Sequence, residues 1–115
     1  MNKYRKEFID ILSHTLNERE ESYGDPSNSM KTIAHMWSAY HDSYISAPEM
    51  VSMMIMLKLA RLKETPDHLD SWIDIAGYAS IAYESILDEL QEDATTEDLH
   101  EDMENIDDEE KGHPF

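Results

Sequence analysis

Residues 58–78 read KLARLKETPDHLDSWIDIAGY and hold most of the side chains for which chemistry can be proposed. Two cations, Lys58 and Arg61, stand three residues apart near the end of one predicted helix, and two carboxylates, Asp70 and Asp74, stand four apart near the start of the next. The short turn between these helices would make them antiparallel, so that the four charges face one another. The stretch therefore predicts a polar pocket in a helical bundle.

Apolar residues recur every three or four positions in four segments, which is the pattern of amphipathic helices. The tetrapeptide YGDP at 23–26 places a glycine before Asp-Pro, which predicts a helix stop and a loop. The run SAPE at 46–49 is a capping box that starts a helix, and Thr-Pro at 65–66 predicts a second start of the same kind. The predicted helices cover about residues 3–22, 29–44, 46–62 and 65–90.

The composition limits the classes of function. Cysteine is absent from the 115 residues, so disulfides and thiolate metal sites are excluded, and any metal would be held by oxygen or imidazole. The charged N-terminus MNKYRKEFID lacks the apolar core of a signal peptide, and no apolar run approaches the roughly 20 residues that span a bilayer. We therefore expect a cytoplasmic protein that does not enter membranes.

The net charge of −17 is concentrated at the C-terminus. Residues 91–115 carry 11 acids and one base, whereas residues 1–90 carry 15 acids and 8 bases. Dense like charge predicts a largely disordered acidic tail at 91–115 after a helical domain at 1–90, with a short helix from Thr96 to about Asn105. A field of this sign repels nucleic acid and anionic membranes, although a local cationic pocket can hold a small phosphate ligand.

Asp70 and Asp74 project from one face of the predicted fourth helix, and Tyr78 lies one turn further along the same stripe. Carboxylates at this spacing can hold Mg²⁺ or Mn²⁺, hard cations that prefer oxygen ligands. The alternative is a solvated helix face, which is the usual location of such pairs. Trp72 between them indicates that the helix is buried on at least one side.

Residues 50–62 are apolar nearly all round the predicted third helix, which is therefore expected to be buried. Lys58 and Arg61 lie in this segment, where an isolated charge costs several kcal/mol and a partner is expected. One interpretation is a structural network of ion pairs with Asp70 and Asp74. The other is a pocket in which the cations hold phosphate oxygens and the carboxylates hold a divalent metal. The residues alone leave both interpretations open.

Glu18 and Glu21 share a face at the end of the first predicted helix, directly before YGDP. They form either a solvated helix end or a further set of oxygen ligands for the same metal. The aromatic stripe of the second helix, which contains Trp37, Tyr40 and Tyr44, is interpreted as core or interface rather than as a cofactor site.

Four motifs together resemble those of a family of short helical proteins encoded largely by bacteriophages and prophages. The motifs are YGDP at 23–26, Trp37-Ser38, KLARL at 58–62 and DSWIDIAGYA at 70–79, and the resemblance covers about residues 15–84. It implies a phage protein in the cytoplasm of the infected bacterial host, without implying a particular activity.

More distantly, the pattern is similar to that of the all-α nucleoside triphosphate pyrophosphohydrolases of the MazG and dUTPase type. In those enzymes two acidic pairs on adjacent helices bind Mg²⁺. By this resemblance Asp70 and Asp74 would form one pair, at a spacing of four rather than three, and Glu18 and Glu21 would form the other. The cations of KLARL stand where such enzymes would carry acids, which favours nucleotide binding over hydrolysis.

These observations predict an all-α, compact, MazG-like four-helix bundle that handles a nucleotide in the host cytoplasm. In a hydrolytic version, Asp70 and Asp74 are the catalytic residues and act with Glu18 and Glu21 through Mg²⁺. The predicted ligand contacts are Lys58, Arg61, Tyr23, Asp25, Trp72 and Tyr78.

Two further predictions concern macromolecular partners. Met53, Met54 and Met56, together with the aromatic stripe, offer more apolar surface than one small bundle needs, so a homodimer or tetramer is expected. The competing interpretation of the chain is an acidic interaction protein, whose tail occupies the basic nucleic-acid groove of a host DNA-binding or defence enzyme.

Overall fold

The computed structural model describes the backbone of residues 1–96 and the side chains of residues 1–93. This part of the chain contains four helices and no strand, which confirms the predicted all-α class: α1 (Lys3–Tyr23), α2 (Pro26–His41), α3 (Ala47–Glu64) and α4 (Leu69–Thr96). Residues Met1–Ser85 form one compact unit and Ile86–Phe115 are grouped in a second. None of the helices in residues 1–96 has the length and apolar character that crossing a membrane requires.

The fourth helix extends beyond its predicted end at Leu90. Helix α4 continues as far as Thr96, the last residue whose backbone is described, so residues 91–96 are helical. The rest of the predicted acidic tail and the short helix predicted to end near Asn105 lie outside the described residues.

The YGDP motif is shorter as a loop than predicted, because α2 begins at Pro26 rather than near Ser29. Asp25 is the N-cap: its carboxylate accepts a hydrogen bond from the Ser27 N–H at 3.0 Å, and proline takes the first helical position. The C-terminal end of α2 also differs from the prediction. The helix ends at His41, and Asp42 adopts a left-handed conformation with φ of 57°. The prediction that this helix reaches Tyr44 is therefore wrong.

The connection between α2 and α3 is fixed by two serines. The Ser38 hydroxyl accepts a hydrogen bond from the Ile45 N–H at 2.8 Å and lies 2.7 Å from the Ala34 carbonyl oxygen. Ser46 caps α3 by accepting from the Glu49 N–H at 3.2 Å, and its hydroxyl lies 3.0 Å from the Glu49 carboxylate. The predicted serine cap at the start of α3 is confirmed, and the Glu49 carboxylate bonds the serine hydroxyl.

The connection between α3 and α4 is a turn rather than a helix start. Thr65 closes α3, since its N–H donates to the Arg61 carbonyl oxygen at 3.0 Å, and α4 begins only at Leu69. The indole of Trp72 donates to the Pro66 carbonyl oxygen at 3.0 Å and holds this turn against the first turn of α4. The prediction of a start at Thr65 is wrong because the threonine serves the preceding helix.

The core lies between α2, α3 and the middle of α4. Its buried members are Ala34, Ala47, Met50 and Val51, and eight partly buried side chains pack against them. Partly buried side chains around it include Trp37 from the predicted aromatic stripe and Tyr78 from α4. Helix α1 contributes no buried residue.

Helix α3 is buried on one side only, which corrects the prediction that it is buried all round. Met54 packs against the core, whereas Met56, Leu57 and Leu59 are exposed in the single chain. In the same way Tyr40 and Tyr44 of the aromatic stripe are exposed, so only part of that stripe belongs to the core.

Alanine substitutions at Gly77 and Gly24 should change the stability of the protein in opposite directions. A Cβ on Gly77 would meet the side chains of Leu16 and Leu12 at 3.8 and 3.9 Å, which is ordinary contact with side chains and not the close backbone approach that a mid-helix glycine suggests. Gly77→Ala is therefore expected to leave stability unchanged or raise it by up to about 1 kcal/mol.

Gly24→Ala is the matched comparison, because space alone would permit it. Gly24 has φ of 82° and ψ of −164°, a region that side-chain-bearing residues avoid, so the substitution should cost about 1–3 kcal/mol. Urea unfolding followed by circular dichroism measures both. A large loss in Gly77→Ala, or none in Gly24→Ala, would contradict these geometries.

Candidate functional site

Asp74 is the centre of a charged cluster that joins three helices. Its carboxylate lies 3.0 Å from the Lys58 ammonium of α3 and 3.3 Å from the Arg19 guanidinium of α1. The side chains of Lys58 and Asp74 are only 14% and 19% exposed, whereas that of Arg19 is 55% exposed. The Lys58–Asp74 pair therefore lies in a weakly hydrated environment, and Arg19 is the member that solvent can reach.

Arg19 is a member of this cluster that the sequence prediction missed. It follows Leu12 and Leu16 at seven and three residues, and those two leucines are the side chains that face Gly77 of α4. A residue that continues the stripe of contact between two helices faces the same neighbour. That spacing is the signal from which its position follows.

Of the four charged residues predicted to face one another, only Lys58 and Asp74 form an ion pair among the described residues. Arg61 is exposed and forms no ion pair within residues 1–96, and Asp70 is exposed at the first turn of α4. Three residues along a helix rotate a side chain by about 300°, so Lys58 and Arg61 point about 60° apart. Asp70 lies in the first turn of α4, and in the part of the chain that the structure describes no ion pair joins it to Lys58.

The four acids predicted to bind Mg²⁺ are not brought together. Glu18 and Glu21 are exposed, and the Glu18 carboxylate lies 3.1 Å from the His14 imidazole one turn earlier in α1. Across the described residues no group of three or more acidic or histidine side chains is placed to hold a metal ion. A resident Mg²⁺ site built from Glu18, Glu21, Asp70 and Asp74 does not fit this geometry.

A cleft of about 370 Å³ opens beside the YGDP turn, between the end of α1, the start of α2 and the middle of α4. We call it the YGDP cleft. Such a volume falls in the range of small-molecule sites. Its polar and aromatic lining consists of Arg19, Glu20, Tyr23, Ser29 and Tyr78, and Gly24 and Gly77 form part of its wall.

A second depression of about 730 Å³ lies between the first halves of α1 and α4. We call it the α1–α4 groove. Tyr4, Phe8 and Ile11 line it from α1, and Leu69, Trp72 and Ala76 are among its residues from α4. Glu7 and Asp70 are its acidic members, so it is mostly apolar.

The predicted ligand contacts are therefore divided between separate places. Tyr23 and Tyr78 line the YGDP cleft, and Asp25 is the cap of the helix that begins at its edge. Trp72 and Asp70 line the α1–α4 groove, and Lys58 with Asp74 forms the cluster beside Arg19. Arg19 is the residue that links the cluster to a cavity, since it pairs with Asp74 and lines the YGDP cleft.

Comparison with known proteins gives a family without a described activity. Residues 10–86 match the family model described as Domain of unknown function (DUF6378). No solved structure matches the chain.

Two phage proteins are similar to part of the chain. The Gene 55 protein of Mycobacterium phage D29 is 44% identical over 62 residues, which is 54% of this chain and 41% of that protein. The Gene 55 protein of Mycobacterium phage L5 is 43% identical over 65 residues, or 56% of this chain and 42% of that protein. The chain thus spans about two fifths of the length of these relatives. They confirm the predicted likeness to phage-encoded proteins, whereas the likeness to MazG-type enzymes finds no support among the matches.

Proposed function

Because the chain belongs to the family described as Domain of unknown function (DUF6378), a description that names no activity, we propose a function from the site itself: the YGDP cleft binds a nucleotide. The observation that carries this proposal is the position of Arg19, which lines the cleft and forms an ion pair with Asp74. The relatives contribute only their phage origin.

Arg19 supplies the contact to phosphate in this proposal. Its side chain is 55% exposed, and one guanidinium N–H donates to Asp74 at 3.3 Å, so further donors of the guanidinium are left for a ligand. Guanidinium groups bind phosphate oxygens through paired hydrogen bonds. Lys58 keeps Asp74 neutralised at 3.0 Å, which leaves the arginine charge available for a ligand.

Two tyrosines supply the contact to the base. Tyr23 stands exposed at the rim of the cleft, and Tyr78 lines it while also packing against the core. Aromatic faces stack on nucleobases with a gain of about 1–3 kcal/mol per base. The cleft of about 370 Å³ suits one nucleotide better than an oligonucleotide.

The proposal is limited to binding, since the described residues contain no group of three or more acidic or histidine side chains that could hold a metal ion. Mg²⁺ would enter with the phosphates of the nucleotide and gain one protein carboxylate, for which Glu20 in the cleft wall is the candidate. Asp70 and Asp74 are accordingly not assigned catalytic roles.

Isothermal calorimetry with mono-, di-, tri- and cyclic nucleotides, with and without Mg²⁺, tests the proposal. At least one nucleotide should bind, and Arg19→Ala should weaken that binding by tenfold or more, about 1.4 kcal/mol or above. Arg61→Ala is the matched control, because it removes an exposed guanidinium that lies outside the cleft and should leave binding unchanged.

Two results would overturn or extend this proposal. Absence of binding to every nucleotide in the panel excludes it. Release of pyrophosphate from a bound triphosphate would show that the protein hydrolyses its ligand, and the limit to binding would then be wrong.

The alternative of an acidic interaction protein rests on a different observation, the 11 acids among residues 91–115. A dense array of carboxylates can occupy a basic nucleic-acid groove in a host enzyme. Replacing the acids of 97–110 by their amides in the full chain separates the two ideas. The interaction protein should lose its host partner, whereas nucleotide binding in the YGDP cleft should persist.

A further inference from the structure

Helix α4 carries an apolar stripe with the spacing of a coiled-coil seam. Leu69, Trp72, Ala76, Ala79 and Tyr83 follow one another at intervals of three, four, three and four residues. This alternation is the heptad repeat that keeps one face of a helix against a partner helix. In the sequence the same spacing continues at Ile86 and Leu90.

Most of the stripe is exposed within the compact unit of residues 1–85, although Ala76 is half-buried. Leu69 is 76% exposed, Trp72 44% and Tyr83 66%, and Ala79 is exposed as well. The core contacts of α4 come from other positions, such as Tyr78 and Ala82. An amphipathic helix that buries one face and leaves a second apolar face in water is incomplete as a single chain.

Helix α1 extends this surface across the α1–α4 groove. Tyr4, Phe8 and Ile11 occupy positions i, i+4 and i+7, and all three line the groove together with Trp72 and Ala76. A groove between two apolar helical stripes accepts a third helix that presents residues at the same spacing.

From these observations we propose that α4 of a second copy of this chain lies antiparallel against α4 and fills the α1–α4 groove, forming a two-fold symmetric dimer. The partner helix must have heptad spacing, and α4 itself has it. In a symmetric interface the same patch serves both copies.

The distribution of large and small residues favours the antiparallel arrangement. Ala76 and Ala79 stand at the middle of the stripe, with Trp72 before them and Tyr83 after them. With the two-fold axis next to Ala79, Tyr83 of each copy lies opposite Ala76 of the other, so that a large side chain packs over a small one. A parallel pair would set Trp72 against Trp72 and Tyr83 against Tyr83.

The exposed area is at the lower end of what a specific dimer buries. From their exposed fractions, Tyr4, Ile11, Leu69, Trp72 and Tyr83 together leave roughly 600 Å² of mainly apolar surface in water. Two copies would bury roughly 1,200 Å², which reaches the lower bound for specific interfaces.

The stripe itself carries no charge. The positions that flank it between Leu69 and Tyr83 are Ile73, Ile75, Ser80 and Ala82, none of which is charged. The groove beside it contains Glu7 and Asp70, so a partner helix has to pass these two acids.

Light scattering on the full chain at micromolar concentration should give twice the mass of one chain. Ala79→Glu places two carboxylates beside the two-fold axis and should weaken association by at least tenfold, yielding a monomer. Met56→Glu adds the same charge to an exposed apolar position of α3 and should remain a dimer. A monomeric wild type, or a dimer lost in Met56→Glu and kept in Ala79→Glu, overturns the proposal.

Cross-linking tests the geometry without relying on a charged variant, because the chain has no cysteine of its own. With the axis next to residue 79, Ala79→Cys should form a disulfide-linked dimer on oxidation. In Tyr83→Cys the two cysteines would lie about 10 Å apart along the helices and should not link. Linkage in Tyr83→Cys equal to that in Ala79→Cys would contradict the antiparallel pairing.

Discussion

Met50→Ala should lower the free energy of unfolding by about 2–5 kcal/mol, the largest loss expected from a single substitution in this chain. Met50 is 1% exposed and lies with Ala34, Ala47 and Val51 at the centre of the core. Two of those neighbours are alanines, so little side-chain volume is available to move into the cavity. Removing three heavy atoms there should leave much of the gap unfilled.

This loss of unfolding free energy is large relative to the total stability of a domain with so small a core. Single domains are stable by only about 5–15 kcal/mol, so this loss would remove a large share of the total. Denaturant unfolding followed by circular dichroism gives the value, at one fixed protein concentration because association would add to stability.

Met56→Ala provides the matched control for this substitution. It removes the same atoms from the same helix, but Met56 is 57% exposed and should cost no more than about 0.5 kcal/mol. Equal losses of unfolding free energy in the two variants would mean that α3 does not bury the side that carries Met50.

Asp74→Ala should cost about 3 kcal/mol, because it leaves the Lys58 ammonium weakly hydrated and without its counter-ion. The two groups are 3.0 Å apart and less than one fifth exposed, so solvent cannot fully replace the lost carboxylate. For a domain of this size the thermal midpoint should fall by roughly 10 °C or more.

Comparison with Lys58→Met separates a charge effect from simple loss of packing. That variant keeps most of the aliphatic volume, and Asp74 retains Arg19 at 3.3 Å, so it should be less destabilising than Asp74→Ala. Lys58→Met combined with Asp74→Ala should recover part of the loss. If the double variant is as unstable as the two single losses added together, the pair does not interact as described.

The fold class and some of the helix ends could be predicted from the sequence because they depend on residues that are close together in the chain. The SAPE capping box marks the start of α3 in sequence and in structure, since the serine hydroxyl and the backbone N–H that it caps are three residues apart. The same logic applied to Asp25 and Pro26 would have placed the start of α2 correctly. The glycine before them drew the interpretation towards a loop.

The incorrect predictions arise where one sequence pattern is compatible with two different structures. Threonine before proline occurs at a helix start and also after a helix end, and at Thr65 the preceding helix uses it. The burial of α3 was overestimated because apolar composition does not show which side of a helix faces the core: Met54 packs there, whereas Met56 and Leu57 are exposed.

The candidate site was predicted in composition better than in geometry. Lys58 and Asp74 do meet, as the spacing suggests, but the third member, Arg19, is 55 residues from Asp74 in sequence and belongs to another helix. Long-range contacts of this kind depend on how α1 crosses α4, which spacing within one helix does not determine.

The most direct measurement of nucleotide binding in the YGDP cleft uses the glycines of the chain. There are three, and Gly24 and Gly77 both line the cleft, whereas Gly112 lies outside the described residues in the acidic C-terminal segment. In a protein labelled with ¹⁵N-glycine, each gives one amide signal that can be followed as a nucleotide is added. If the cleft binds a nucleotide, the signals of Gly24 and Gly77 should shift together and saturate with one affinity while that of Gly112 stays in place. Unmoved signals for Gly24 and Gly77 across the nucleotide panel, or a shift confined to Gly112, would contradict the proposal.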